Sequence, residues 1–158
     1  MHSRIYQISK EPINKRDYIE ESHYYDHWFT NSVADYVNGN TDRDDDIQWL
    51  KDCYEERGLS FGTDNNGEYL VVEDKVKYFT VKFETFQKTL TELSKTTLDD
   101  FANGECGYSL YKLKEAYCDK FGFYAEIEEA DTIEFDGFVR LAEVGVKYYI
   151  GATIDYHC

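Results

Sequence analysis

Several features that define common protein classes are scarce in this sequence. It has one proline and four cysteines, none of them in a CxxC pair. No run approaches the roughly 18 apolar residues needed to span a bilayer, and the segment from Met1 to Tyr6 lacks the long apolar stretch of a signal peptide. These absences argue against a disulfide scaffold and a membrane protein, and we expect a cytoplasmic chain with reduced thiols.

Positive charge is also scarce. The 158 residues include 17 Lys and Arg against 32 Asp and Glu, which gives a formal net charge of -15. Nucleic acid and anionic membranes are poor direct ligands for such a chain, because their binding depends on Lys and Arg contacts with phosphates. The charge favours a basic protein as partner, although net charge can also serve solubility alone.

Apolar residues are plentiful enough for a folded core. Hydrophobic residues make up 42% of the chain and aromatic residues 17%, more than a disordered acidic tail contains. Strand and helix patterns alternate without a regular βαβ repeat, and no linker separates them. We therefore predict one α+β domain over 1–158, with a mixed or antiparallel sheet and about three to four helices.

Hydrophobic periodicity places these elements along the chain. Strands are predicted at 4–8, 59–61, 68–72, 78–83, 123–127 and 145–156. Helices are predicted over the second half of 24–37 and over 44–57, 86–93 and 108–121. The segment 132–142 is ambiguous, since Phe135, Phe138 and Leu141 repeat every three positions but Gly137 interrupts the run.

Acidic residues concentrate in two segments, which we predict to bind a basic partner. Exposed tyrosine and tryptophan often anchor protein interfaces, so two aromatic residues join this set. The candidate partner-binding residues are Asp42, Asp44, Asp45, Asp46, Glu55 and Glu56 in the first segment, Glu126, Glu128, Glu129, Asp131, Glu134 and Asp136 in the second, and the aromatic residues Tyr25 and Trp28.

The amount of negative charge is comparable to that of a short duplex. DNA carries about one charge per 1.7 Å of axis, so a charge of -15 corresponds to the phosphates of roughly seven base pairs. In composition alone the chain resembles small acidic inhibitors of phages and mobile elements, such as anti-CRISPR or anti-restriction proteins. We predict a non-enzymatic domain that occupies the basic nucleic-acid-binding groove of a nuclease or similar enzyme; the alternative is an accessory or scaffold protein.

Metal-binding patterns are incomplete. His23 and His27 are four residues apart with Asp26 nearby, but the glutamate of HExxH is missing and no third ligand is evident. The run 42–46 lacks the alternating ligands, central glycine and terminal glutamate of an EF-hand. We therefore predict no metal and no cofactor.

One enzymatic alternative depends on a cysteine. Cys106 lies just before a predicted helix, whose positive dipole end can lower a thiol pKa, and His157 is a distant candidate base. No residue that would orient the histidine is evident. P-loop, dinucleotide-binding and serine-elbow motifs are absent from the sequence. A cysteine hydrolase using Cys106 and His157 is therefore the second hypothesis.

Overall fold

The computed structural model describes residues 1–128 and 130–158. These residues form one seven-stranded mixed sheet with six α-helices, which confirms the predicted α+β class. The strand order is β3-β4-β7-β1-β5-β6, with β2 beside β7. The strands are β1 (His2–Ser9), β2 (Tyr36–Asn38), β3 (Leu59–Asp64), β4 (Gly67–Val72), β5 (Tyr124–Ile127), β6 (Asp131–Glu134) and β7 (Lys147–His157).

More helices are present among the described residues than the sequence predicted. They are α1 (Trp28–Ser32), α2 (Arg43–Tyr54), α3 (Lys75–Leu93), α4 (Leu98–Ala102), α5 (Gly107–Tyr117) and α6 (Phe135–Leu141). Three of them have only five to seven residues. Two turns or fewer give too little periodicity for a pattern to reveal, so the prediction of three to four helices was too low.

Both faces of the sheet are covered. On one face, Tyr6 of β1 packs in a core with Leu50 of α2 and with Phe135 and Phe138 of α6. On the other face, Ile5 packs with Phe29 and other residues of the segment that precedes β2. Successive strand residues point to opposite faces, so α2 and α1 lie on opposite sides of the sheet.

Local chemistry fixes both ends of α2. The Asp42 side chain accepts hydrogen bonds from the amides of Asp44 and Asp45 at 3.2 and 3.3 Å, and so caps the first turn. A 3₁₀ turn, Glu55–Arg57, follows the helix, and Gly58 then adopts a left-handed φ of 90°. A residue with a Cβ is strained in that conformation, which explains why glycine ends the segment.

Helices α3 and α5 pack on each other. We call the segment that contains α3, α4 and α5, residues 75–117, the helical arm, and the rest of the chain the body. Only Tyr78 and Thr89 are buried in the arm. Ten of the 17 large hydrophobic residues that are exposed in the described structure belong to it. They are Val76, Val81, Phe83, Leu90, Leu98, Phe101, Tyr108, Leu110, Tyr111 and Tyr117.

The strand predicted at 78–83 was wrong, because this segment is the first half of α3. Tyr78 and Lys82 are four residues apart, and both contact Asp136 of the body, at 2.9 and 2.5 Å. The apolar alternation was misleading, since Val81 and Phe83 remain exposed. Tyr78 also packs in the core of the body, with its ring centroid 5.2 Å from that of Tyr54, so one side of α3 faces the body and the opposite side remains exposed.

The helix predicted over the second half of 24–37 was also wrong in part. Helix α1 ends at Ser32, and residues 36–38 form β2 against β7. Tyr36 stacks on His157 of β7, with ring centroids 5.3 Å apart. Pairing with an available strand edge therefore prevails over the helical spacing of the apolar residues.

Candidate protein-binding surfaces

The first acidic segment lies on the α2 side of the sheet and is largely accessible. We define the α2 face by its exposed acids: Asp42, Asp44, Asp45, Glu55 and Glu56. Asp44 is 3.6 Å from the Arg43 guanidinium, and Glu55 is 3.7 Å from Lys51. Pairs this long and exposed contribute little, so most of the negative charge of the face is not neutralised by these two bases.

Asp46 belongs to the same segment but has a structural role. Its carboxylate is buried and accepts bonds from Arg4 Nε at 2.6 Å and from the Thr153 hydroxyl at 2.8 Å. Arg4 also binds Asp155 of β7. Asp46 therefore joins α2 to the sheet, and its side chain is not accessible to a partner.

The second acidic segment is divided between the surface and the interior. Glu128 is exposed, and Glu129 lies outside the described residues. Asp136 is buried and is bound to Lys82 and Tyr78 of the arm, so it does not reach the surface. Glu134 is half-buried, and burial, with a smaller effect of the Asp136 charge, raises its pKa.

Glu126 is enclosed by a polar network on the α1 side of the sheet. Its carboxylate accepts hydrogen bonds from the Thr132 hydroxyl and from the Tyr24 hydroxyl, the latter at 3.2 Å. Burial first, and the Glu126 charge second, raise the pKa of Tyr24, so this hydroxyl keeps its proton and donates. His23 Nε2 lies 3.4 Å from the other carboxylate oxygen.

Asp131 is exposed, but its carboxylate already has hydrogen-bond partners within the protein. It accepts from the Thr132 amide at 2.8 Å, and His27 Nε2 lies 3.0 Å from the same oxygen. Burial opposes ionisation of Asp131, but the hydrogen bonds from Thr132, His27 and Trp28 outweigh it and lower the pKa. The carboxylate is therefore held ionised beside the His27 ring.

The two predicted aromatic anchors are exposed, Tyr25 by 63% and Trp28 by 45%. They flank His27 on the α1 side of the sheet, whereas the α2 face is on the other side. The predicted set of residues therefore does not form one surface. It separates into the acidic α2 face and an aromatic and histidine-rich region.

No match to a known protein links either surface to a function. Comparisons with family models, curated proteins and solved structures all find none. None of the described helices is long and apolar enough to cross a membrane.

The two residues of the hydrolase hypothesis have separate surroundings. Cys106 precedes α5 in the arm. His157 is on β7, where its Nδ1 lies 3.2 Å from an Asp35 oxygen and its ring stacks on Tyr36. No hydrogen bond joins Cys106 to His157 in the described part of the chain, so the structure adds no support to that hypothesis.

Sequence reasoning missed the meeting of His23, His27 and Asp131. Single ligand atoms from these three residues all lie within 4.8 Å of one another. Asp131 is more than 100 positions away in the sequence and adopts a left-handed φ of 61°. Strand alternation from Thr132 places Asp131 on the opposite face, so only the turn geometry could have revealed this contact.

Proposed function

We propose that this protein is a non-enzymatic binding domain whose α2 face holds a basic protein surface. The observation that carries the proposal is an uneven charge distribution. The arm contains seven lysines and six acidic residues, whereas the body contains ten Lys and Arg against 26 Asp and Glu. The body thus has a net charge of -16, with the acids of the α2 face directed to solvent.

The proposed partner is a nucleic-acid-binding protein, such as a nuclease. Carboxylates on the α2 face would occupy a Lys and Arg groove that otherwise holds phosphates, and long-range attraction would speed the encounter. An inhibitor of the phage or mobile-element kind, acting as a DNA mimic, fits this competition. We place it in a reducing, cytoplasmic compartment, since all four cysteines are free thiols.

The test compares two charge reversals of equal size. Asp45→Lys, Glu55→Lys and Glu56→Lys alter the α2 face; Glu84→Lys, Glu92→Lys and Glu105→Lys alter exposed acids of the arm. Proteins captured from native lysate at low salt are identified, and the affinity of each variant is measured against salt concentration. We expect the α2 variant to lose at least about ten-fold in affinity and much of the salt dependence, because it removes the charges in contact.

The arm variant has the same change in net charge and should bind nearly as wild type. An equal loss in both variants would show that only net charge matters. Unchanged binding by the α2 variant would refute the proposed surface. Duplex DNA should also release the captured protein from wild type, because both would compete for the same basic groove. Circular dichroism would check that both variants fold.

A further inference from the structure

A cluster of metal-binding side chains lies on the α1 side of the sheet, away from the α2 face. Ligand atoms of His23, His27 and Asp131 are mutually within 4.8 Å, and the two imidazole centroids are 5.6 Å apart. A tetrahedral zinc ion with bonds of about 2.0 Å separates its ligands by about 3.3 Å. The present ligand atoms are therefore within about 1.5 Å of the spacing that zinc requires.

The backbone around the histidines explains how they meet. A 3₁₀ turn, Glu21–Tyr24, carries His23, and Asp26 then reverses the chain with a left-handed φ of 61°. His27 follows in an extended conformation as the N-cap of α1. The two rings therefore face each other across a tight turn, and not along one helix as their spacing of four suggested.

Neighbouring residues hold the cluster in place. Tyr24, between the histidines, is fully buried and contacts both rings, with centroids 5.0 Å from His23 and 5.2 Å from His27. Glu126 lies 3.4 Å from His23 Nε2, and an acid beside a ligating histidine commonly fixes the orientation of its ring. Asp131 is held by the Thr132 amide at 2.8 Å.

We propose that His23, His27 and Asp131 bind a first-row divalent cation of the zinc class. Two imidazoles and one carboxylate are ligands that Zn²⁺ accepts, and a soft thiolate is not required. His23 and Asp131 are exposed, so the ion reaches the site from solvent and keeps an open coordination position. This site is independent of the proposed α2 face.

One hydrogen bond of His27 opposes metal binding, and its loss can be measured. The Phe29 amide donates to His27 Nδ1 at 3.2 Å, which leaves the ring proton on Nε2, facing Asp131. Coordination through Nε2 moves this proton to Nδ1 and breaks the bond to Phe29. Loss of one helix cap lowers affinity by roughly five-fold, a small factor for a site with three protein ligands.

The experiment titrates the full chain with Zn²⁺ against a chromophoric chelator, and with Co²⁺ followed by its visible absorption. We expect one equivalent to bind, with tetrahedral Co²⁺ bands and no thiolate charge-transfer band. Asp131→Asn preserves the shape of the turn and removes the carboxylate charge, and His27→Gln removes one imidazole ligand. Each substitution should weaken metal binding at least ten-fold. The Phe29 amide resonance should shift on metal addition, because its hydrogen bond is lost.

The chain offers a matched control in its other histidine pair. His2 and His157 have ring centroids 5.1 Å apart and carboxylates at 2.9 and 3.2 Å. The double variant His2→Gln, His157→Gln should bind as wild type. Binding that depends on that pair, that persists in both site variants, or that shows thiolate bands would overturn the proposal, as would failure of the wild type to bind.

Discussion

The body and the helical arm differ in how they are stabilised. The body buries side chains on both faces of its sheet, whereas the arm buries two residues and exposes ten large hydrophobic ones. The body has a net charge of -16 and the arm +1. Folding free energy comes mainly from burial of apolar area, so we infer that the body folds as the stable unit.

The arm is joined to the body at its base. Lys82 and Tyr78 bind Asp136, and the Arg140 guanidinium lies over the rings of Phe79 and Tyr117 at 4.7 and 4.8 Å. Beyond these contacts, α3 and α5 pack mainly on each other. Regions with few buried contacts open at low cost, so the tip of the arm should exchange its amide hydrogens faster than the sheet.

The largest expected effect is on the free energy of unfolding. It is tested by the same substitution, phenylalanine to alanine, at one buried position of the body and one exposed position of the arm. Phe135 is 2% exposed and Phe101 is 69% exposed. Phe135→Ala should lower the free energy of unfolding by about 3–5 kcal/mol, because it leaves a cavity in the core of the body. Phe101→Ala should change it by less than about 0.5 kcal/mol.

Urea denaturation followed by circular dichroism measures both values. Similar losses at the two positions would show that the tip of the arm belongs to the same cooperative unit as the core. A disordered Phe135→Ala protein would still support the contrast if Phe101→Ala folds normally.

The sequence predicts the longer elements of both regions and misses the short ones. In the body, β1, β3, β4, β5, β7 and α2 were predicted because their residues pack against a core, as in the alternation of Ile5 and Tyr6 about β1, whereas the short strands β2 and β6 were not. In the arm, the helices predicted at 86–93 and 108–121 correspond to α3 and α5, but the first half of α3 and the five-residue α4 were missed. Phe79, Val81 and Phe83 suggested a strand where α3 forms.

The candidate site was predictable only in its acidic part. Charge is visible in a sequence, and the exposed acids of the α2 face lie where the helix prediction placed them. The burial of Asp46 and Asp136 was not visible, because it depends on Arg4 and Lys82, which are distant in the sequence. The approach of Asp131 to His27 depends on a left-handed turn that no periodic pattern encodes.

A second pair of substitutions sharpens the comparison at the junction between body and arm. Gly58 and Gly104 both have positive φ, 90° and 75°. A Cβ at Gly58 would lie 2.3 Å from the carbonyl oxygen of Asp74, directly before α3, while a Cβ at Gly104 meets no atom within 4 Å. The two alanine variants therefore share the backbone strain but differ in the clash.

Gly104→Ala should cost about 1–2 kcal/mol of local strain, confined to the arm. Gly58→Ala should cost roughly 3 kcal/mol or more, because the strain and the clash add together. Hydrogen exchange would show where each cost falls: in the arm alone for Gly104→Ala, and in β3, β4 and the start of α3 for Gly58→Ala. Equal losses of global stability in the two variants would mean that the tip of the arm unfolds together with the body.

The smallest expected effect concerns Glu134, at the edge of the body beside the arm's attachment to Asp136. Burial and the Asp136 charge raise the pKa of Glu134 above its ordinary value of 4.5. The folded state then binds the proton more tightly than the unfolded state, so this residue's contribution to stability falls as pH rises through and above that value. Glu134→Gln should therefore be slightly more stable than wild type at neutral pH and equal to it under acid conditions.

Glu143→Gln provides a control of opposite sign, since Lys10 lowers the pKa of Glu143. Thermal denaturation across pH measures both, and a Glu134→Gln protein less stable than wild type at neutral pH would show that its charge stabilises the junction with the arm.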